Sequence, residues 1–148
     1  MVRPLEILII EDQCLGEVNN MVEGVLADQK INISYALTLD QAKEKLQERK
    51  YGLILLDNRM PEKVEDAKIT KIWKDKQMGT IILTEVNTGA LDYHGYKLIP
   101  DIQEQQPHAL LIGTSNCDSD QYKGPRPEKY LSHKGDGKSL RKYLKLTH

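Results

Sequence analysis

Apolar positions along the chain follow two periodicities in turn: short continuous or alternating runs, then stripes at helical spacing. Residues 5–10, Leu-Glu-Ile-Leu-Ile-Ile, predict a buried strand, and Leu15, Val18, Val22, Val25 and Leu26 then recur at helical spacing up to Lys30. Together they make a first strand–helix unit. Ile31, Ile33 and Tyr35 alternate as a second strand. Thr38, followed three residues later by Gln41, forms a capping box that opens a helix carrying Leu39, Ala42 and Leu46 and ending near Arg49. Leu53-Ile54-Leu55-Leu56 is apolar throughout, as a strand covered on both faces should be. Leu98, Ile99 and Ile102 predict a helix ahead of a strand at Ala109–Ile112. Tyr130-Leu131 reads as a short fifth strand, and Leu140, Tyr143 and Leu144 as a closing helix. Five strands with interleaved helices predict an α/β fold built on a doubly wound sheet.

Two of these strands run into acid. Glu11-Asp12 follows the first and Asp57 the third, at the sheet edge where open α/β folds place ligand sites. Three carboxylates gathered there repel one another unless a hard cation neutralises them, and oxygen-only ligation suits Mg²⁺ or Mn²⁺. Taken singly, each feature has a plainer reading. Asp12 is also a good N-cap for the helix that follows, and Asp57 to Pro61 also reads as a turn.

Composition narrows the function classes. At 148 residues the chain is the size of one domain, 1–148, with little room for a second. A net charge of -1 offers no footprint for direct nucleic-acid binding or an anionic membrane surface. No stretch approaches the roughly 20 apolar residues of a membrane span, and Met1-Val2-Arg3-Pro4 leads straight into a strand with no signal-peptide core, so a cytoplasmic location is expected. Cys14 and Cys117 lie in no metal-binding or Cys-x-x-Cys spacing and read as two reduced thiols, with oxidant sensing the alternative.

In chain order, the acidic pair Glu11-Asp12, Asp57 with Pro61 four residues on, Thr114 after the fourth strand and Lys134 after the fifth resemble the receiver domain of two-component response regulators. The resemblance spans residues 5–61 and about 95–146. It implies a flavodoxin-like five-stranded parallel sheet in the order 2-1-3-4-5. It also implies a phosphoprotein of phosphorelay signal transduction, modified on Asp57 by a histidine kinase or phosphotransfer protein. Asp57 is then the nucleophile. Asp12 binds the metal directly, Glu11 binds it by its longer reach or through water, and the backbone carbonyl of Arg59 completes the protein ligands. Lys134 pairs with one phosphoryl oxygen, Thr114 donates to another, and Tyr130 is the aromatic that moves with Thr114. The chemistry asks for these groups, because a carboxylate attacks phosphorus only where donors neutralise the incoming charge. Such a protein is not a conventional enzyme, although it catalyses its own phosphorylation and dephosphorylation.

Departures from the pattern are as informative. The stretch from Asp57 to Thr114 is about twice as long as the resemblance calls for, which places an insertion at about 62–94. Within it Val64, Ala67, Ile69, Ile72 and Trp73 stand at roughly helical spacing, ahead of a strand-like run from Thr80 to Val86. A helix and a strand packed as a small addition are expected there, or else a long functional loop that covers the site or binds a partner through Trp73. A rival alignment ends the fourth strand at Thr84, but no lysine then stands at the end of a fifth strand. Pro125 and Pro127 leave little length for a helix between the last two strands. No proline follows Lys134, and a shift of one residue would put His133 in its place, a poorer phosphate partner at neutral pH.

Three functions remain in comparison. The first is a phosphoacceptor receiver with no output module expected after its last helix, signalling through protein contacts or relaying the phosphoryl group. The second is a degenerate receiver that only binds proteins. The third, a haloacid-dehalogenase type of phosphatase, calls for a second aspartate where Arg59 stands. Flavin binding is disfavoured because Glu11-Asp12-Gln13 would repel a phosphate.

Overall fold

In the computed structural model, residues 3–11, 15–58, 67–75, 79–86, 95–114 and 124–146 are described, the two segments 67–75 and 79–86 as backbone. The chain runs β1 (Leu5–Ile10), α1 (Leu15–Val25), β2 (Ile31–Ala36), α2 (Leu39–Glu48), β3 (Leu53–Leu56), β4 (Ala67–Asp75) and β5 (Gly79–Val86). A 3-10 turn at Gly95–Leu98, α3 (Ile99–Gln105), β6 (Leu110–Gly113), β7 (Lys129–Tyr130) and α4 (Gly137–Tyr143) complete it. Five strands form a parallel sheet in the order β2-β1-β3-β6-β7, the doubly wound arrangement expected from the sequence.

The alternation of side chains along each strand divides the core in two. Ile7 and Ile9 of β1, Leu53 and Leu55 of β3 and Ile112 of β6 pack on α1 and α4 through Leu15, Val18, Val22 and Leu140. Leu8, Ile10, Ile54 and Leu56 point the other way, against Leu39, Ala42 and Leu46 of α2 and Ile99 and Ile102 of α3. Each fully buried leucine or isoleucine contributes about 1.5–3 kcal/mol by leaving water, so β1 and β3, buried on both faces, anchor the sheet.

Polar contacts close the ends of these elements. The Thr38 hydroxyl accepts from Gln41 N at 3.2 Å and the Gln41 side chain accepts from Leu37 N at 2.7 Å, a capping box at the start of α2. At the other end the buried Gln106 amide donates to the carbonyls of Leu46 and Arg49, both at 2.9 Å, and accepts from Tyr51 N.

The insertion differs from the expected helix and strand. β4 and β5 form a two-stranded antiparallel sheet, and no helix occurs among its described residues. The register slips by one residue between Ile69 and Lys71, so that Ile69 pairs with Thr84 and Ile72 with Ile82. Residues three apart on β4 therefore lie opposite residues two apart on β5, and a bulged strand imitates helical spacing in the sequence. Thr84 lies in this small sheet, so the fourth position of the parallel sheet belongs to β6 and Thr114 follows it. The chain at 124–128, with Pro125 and Pro127, is not helical.

Candidate functional site

Four of the five strands of the parallel sheet, all but β2, extend the ladder by one bond past their last residue. Glu11 N donates to Ala36 O at 3.0 Å, Asp57 N to Ile10 O at 2.9 Å, Thr114 N to Leu56 O at 2.9 Å and Leu131 N to Gly113 O at 2.8 Å. Parallel strands in register thus deliver Glu11, Asp57 and Thr114 side by side at one edge, on neighbouring strands β1, β3 and β6. Glu11, Asp57 and Thr114 are all buried.

Lys134 reaches this edge from the turn after β7. Its Nζ lies 2.5 Å from Glu11 Oε2, 3.2 Å from Asp57 Oδ1 and 3.4 Å from Thr114 Oγ1, and the threonine hydroxyl donates to Glu11 Oε2 at 3.1 Å. Burial alone would push the ammonium pKa down. The carboxylates of Asp57 and then Glu11 reverse that, and it stands above the usual lysine value. A lysine so held is permanently charged at neutral pH. The neighbouring His133 is exposed, its Nδ1 accepting from Gly135 N at 3.2 Å.

The turn that presents Lys134 is shaped by Asp136, a residue without a role in the sequence reading. One carboxylate oxygen accepts from Ser132 N at 3.0 Å and Ser132 Oγ at 2.8 Å, and the other accepts from Ser139 N at 3.1 Å as the N-cap of α4. Burial would raise its pKa, but the hydrogen bonds from Ser139 and Ser132 outweigh that and hold it well below the usual carboxylate range. The sequence signal is an N-cap aspartate ahead of Gly137 and the buried Leu140.

Asn58 and Gly95 form a second support that the sequence reading missed. Gly95 N donates to Asn58 O at 2.8 Å and Tyr96 N to Asn58 Oδ1 at 3.0 Å, so the two roots of the insertion meet directly beside Asp57. A Cβ on residue 95 would stand 1.8 Å from the Asp57 carbonyl oxygen, which makes glycine obligatory for this approach. Asn58 is fully buried, and its Nδ2 has no hydrogen-bond partner among the described residues.

Two solved structures resemble the chain across nearly its whole length. The signal receiver domain of an HD domain-containing protein from Pseudomonas fluorescens Pf-5 matches at TM-score 0.57 and 18% identity, over 97% of this chain and 93% of that one. The receiver domain of the Erythrobacter litoralis PhyR response regulator matches at 0.53 and 16%, over 98% and 93%. The chain has the receiver-domain fold. No family model matches it, and no curated protein does.

On this receiver fold, four of the six site residues named from the sequence come together: Glu11, Asp57, Thr114 and Lys134. Asp12 and the Arg59 carbonyl, the other two, lie outside the described residues, as do Cys14 and Cys117. Among the described residues no three His, Cys, Asp or Glu side chains cluster as a metal site, and no helix is long and apolar enough to cross a membrane. Tyr130 is half exposed, and its carbonyl accepts from the Tyr143 hydroxyl at 3.1 Å.

Proposed function

We propose that the protein is a two-component response regulator whose receiver accepts a phosphoryl group on Asp57 from a phosphohistidine of a histidine kinase or phosphotransfer protein. The observation that supports this reading best is the convergence of the Lys134 ammonium on Glu11, Asp57 and Thr114. In the transfer, a carboxylate oxygen of Asp57 bonds to phosphorus as the phosphorus–nitrogen bond of the donor breaks, and the departing imidazole takes up a proton. Lys134, already charged and in place, meets the phosphoryl oxygens without reorganisation. The Thr114 hydroxyl, bonded to Glu11 in this state, can turn to a phosphoryl oxygen instead, and that exchange of partners biases two nearby conformations.

The donor set fits a hard divalent cation such as Mg²⁺ or Mn²⁺. Two buried carboxylates face one ammonium, which leaves negative charge to be neutralised, and all the side-chain donors are oxygens. Glu11 and Asp57, with Asp12 and the Arg59 carbonyl beside them in sequence, would hold it. Bound there, it would neutralise charge on the phosphoryl group. The signal would pass on by protein contact, in the cytoplasm where kinases of this type act.

Intact-mass measurement after incubation with acetyl phosphate and Mg²⁺ tests the reading. One phosphoryl group should be gained and then lost in Asp57→Ala, whereas modification retained in that variant overturns the assignment. A wild-type chain that stays unmodified favours a receiver that acts through binding alone.

A further inference from the structure

We propose that the protein forms a dimer by antiparallel self-pairing of β5, the edge of the inserted sheet that lacks both a register slip and a run of charge. This proposal is independent of phosphotransfer.

Among the described residues β4 and β5 pair with each other and with no further strand, and a two-stranded sheet alone is marginal in water. A third strand on either edge would complete it, and the two edges are not equivalent. β4 carries Lys68, Lys71 and Lys74 and the register slip between Ile69 and Lys71. Lysines and bulges are two of the devices by which proteins stop an edge from recruiting other strands. β5 has neither: from Gly79 to Thr84 it carries no charge, its β-branched residues Thr80, Ile81, Ile82 and Thr84 favour extended chain, and Glu85 is its sole ionisable side chain.

The distribution of charge also selects the occupant. Two copies of β5 running antiparallel about a two-fold axis at Ile82 place Ile82 opposite Ile82, Ile81 opposite Leu83, Thr80 opposite Thr84 and Glu85 opposite Gly79. No like charges meet, and apart from Glu85 with Gly79 the pairs are β-branched or apolar. The same operation on β4 about Lys71 places Lys71 opposite Lys71 and Lys68 opposite Lys74. One edge is therefore self-complementary and the other self-repelling, as a closed two-fold interface requires. The product is a four-stranded sheet, β4-β5-β5-β4, with the lysine-bearing strands outermost.

Sedimentation equilibrium of the full chain over a wide concentration range, with circular dichroism to establish folding, tests the proposal. The wild type should be a dimer. Ile82→Lys, which sets ammonium against ammonium at the axis, should weaken the dimer at least ten-fold while the spectrum is unchanged, and Lys71→Ala should leave it intact. In a chain with Cys14→Ser and Cys117→Ser, Ile82→Cys should form an interchain disulfide on mild oxidation, because directly opposed residues lie within bridging distance. A wild type that stays monomeric, a dimer indifferent to Ile82→Lys, or failure of the cysteine variant to cross-link would each overturn the proposal.

Discussion

At neutral pH the Lys134 ammonium separates two buried carboxylates, so its removal leaves like charges facing each other away from water. Lys134→Ala should therefore destabilise the fold by about 3 kcal/mol at pH 7. Urea melts of the variant and its parent at pH 7 read the difference. Asp136 gives the stability a dependence on pH. Because its folded pKa is depressed, its stabilisation is complete above the unfolded value of about 3.9 and is lost as the pH falls below that value. Asp136→Ala should cost about 1 kcal/mol at pH 7 and less at pH 3, and should slow phosphorylation without abolishing it, since the Lys134 turn loses its anchor. Lys145 closes α4 with φ 59°, its N–H bonded to Lys142 O at 3.1 Å and that of Leu146 to Arg141 O at 3.0 Å. That is a helix stop for which glycine is better suited. Lys145→Gly should raise the urea midpoint, by about 0.5–1 kcal/mol of stability.

For the individual elements, the apolar runs and the capping box at Thr38 were legible because burial and periodicity coincide there. Leu53–Leu56 is a clear instance, a strand with every residue buried. β4 was not legible, since one bulge converts a two-residue period into spacings of three. Glu11, Asp57, Thr114 and Lys134 could be named from the sequence because strand ends leave a positional signature. Asn58 and Gly95 could not, because what they do depends on two chain segments meeting in space. Gly95→Ala tests that role: the methyl collides with the Asp57 carbonyl, so phosphorylation by acetyl phosphate should slow by at least ten-fold while far-ultraviolet circular dichroism is retained. A buried amide with all its bonds made, such as Gln106, is equally silent in sequence.

Across the whole molecule, the parallel sheet orders the polar residues of its C-terminal edge, and the two core layers hold that sheet from both sides. The inserted strands belong to a separate sheet, and their removal should leave this support intact. Replacing residues 67–86 by a short glycine–serine linker shortens the loop between Asn58 and Gly95, which by loop-closure entropy changes stability by less than about 1 kcal/mol. A thermal melt of that variant should be close to the parent, or slightly above it. The hydrogen bond from Gly95 to Asn58 has one more consequence. Because the chain leaves the receiver and re-enters it at a single doorway, the strands of residues 67–86 beyond it can be exchanged like a cartridge, with the phosphate chemistry, the Arg59 carbonyl included, left on the chassis.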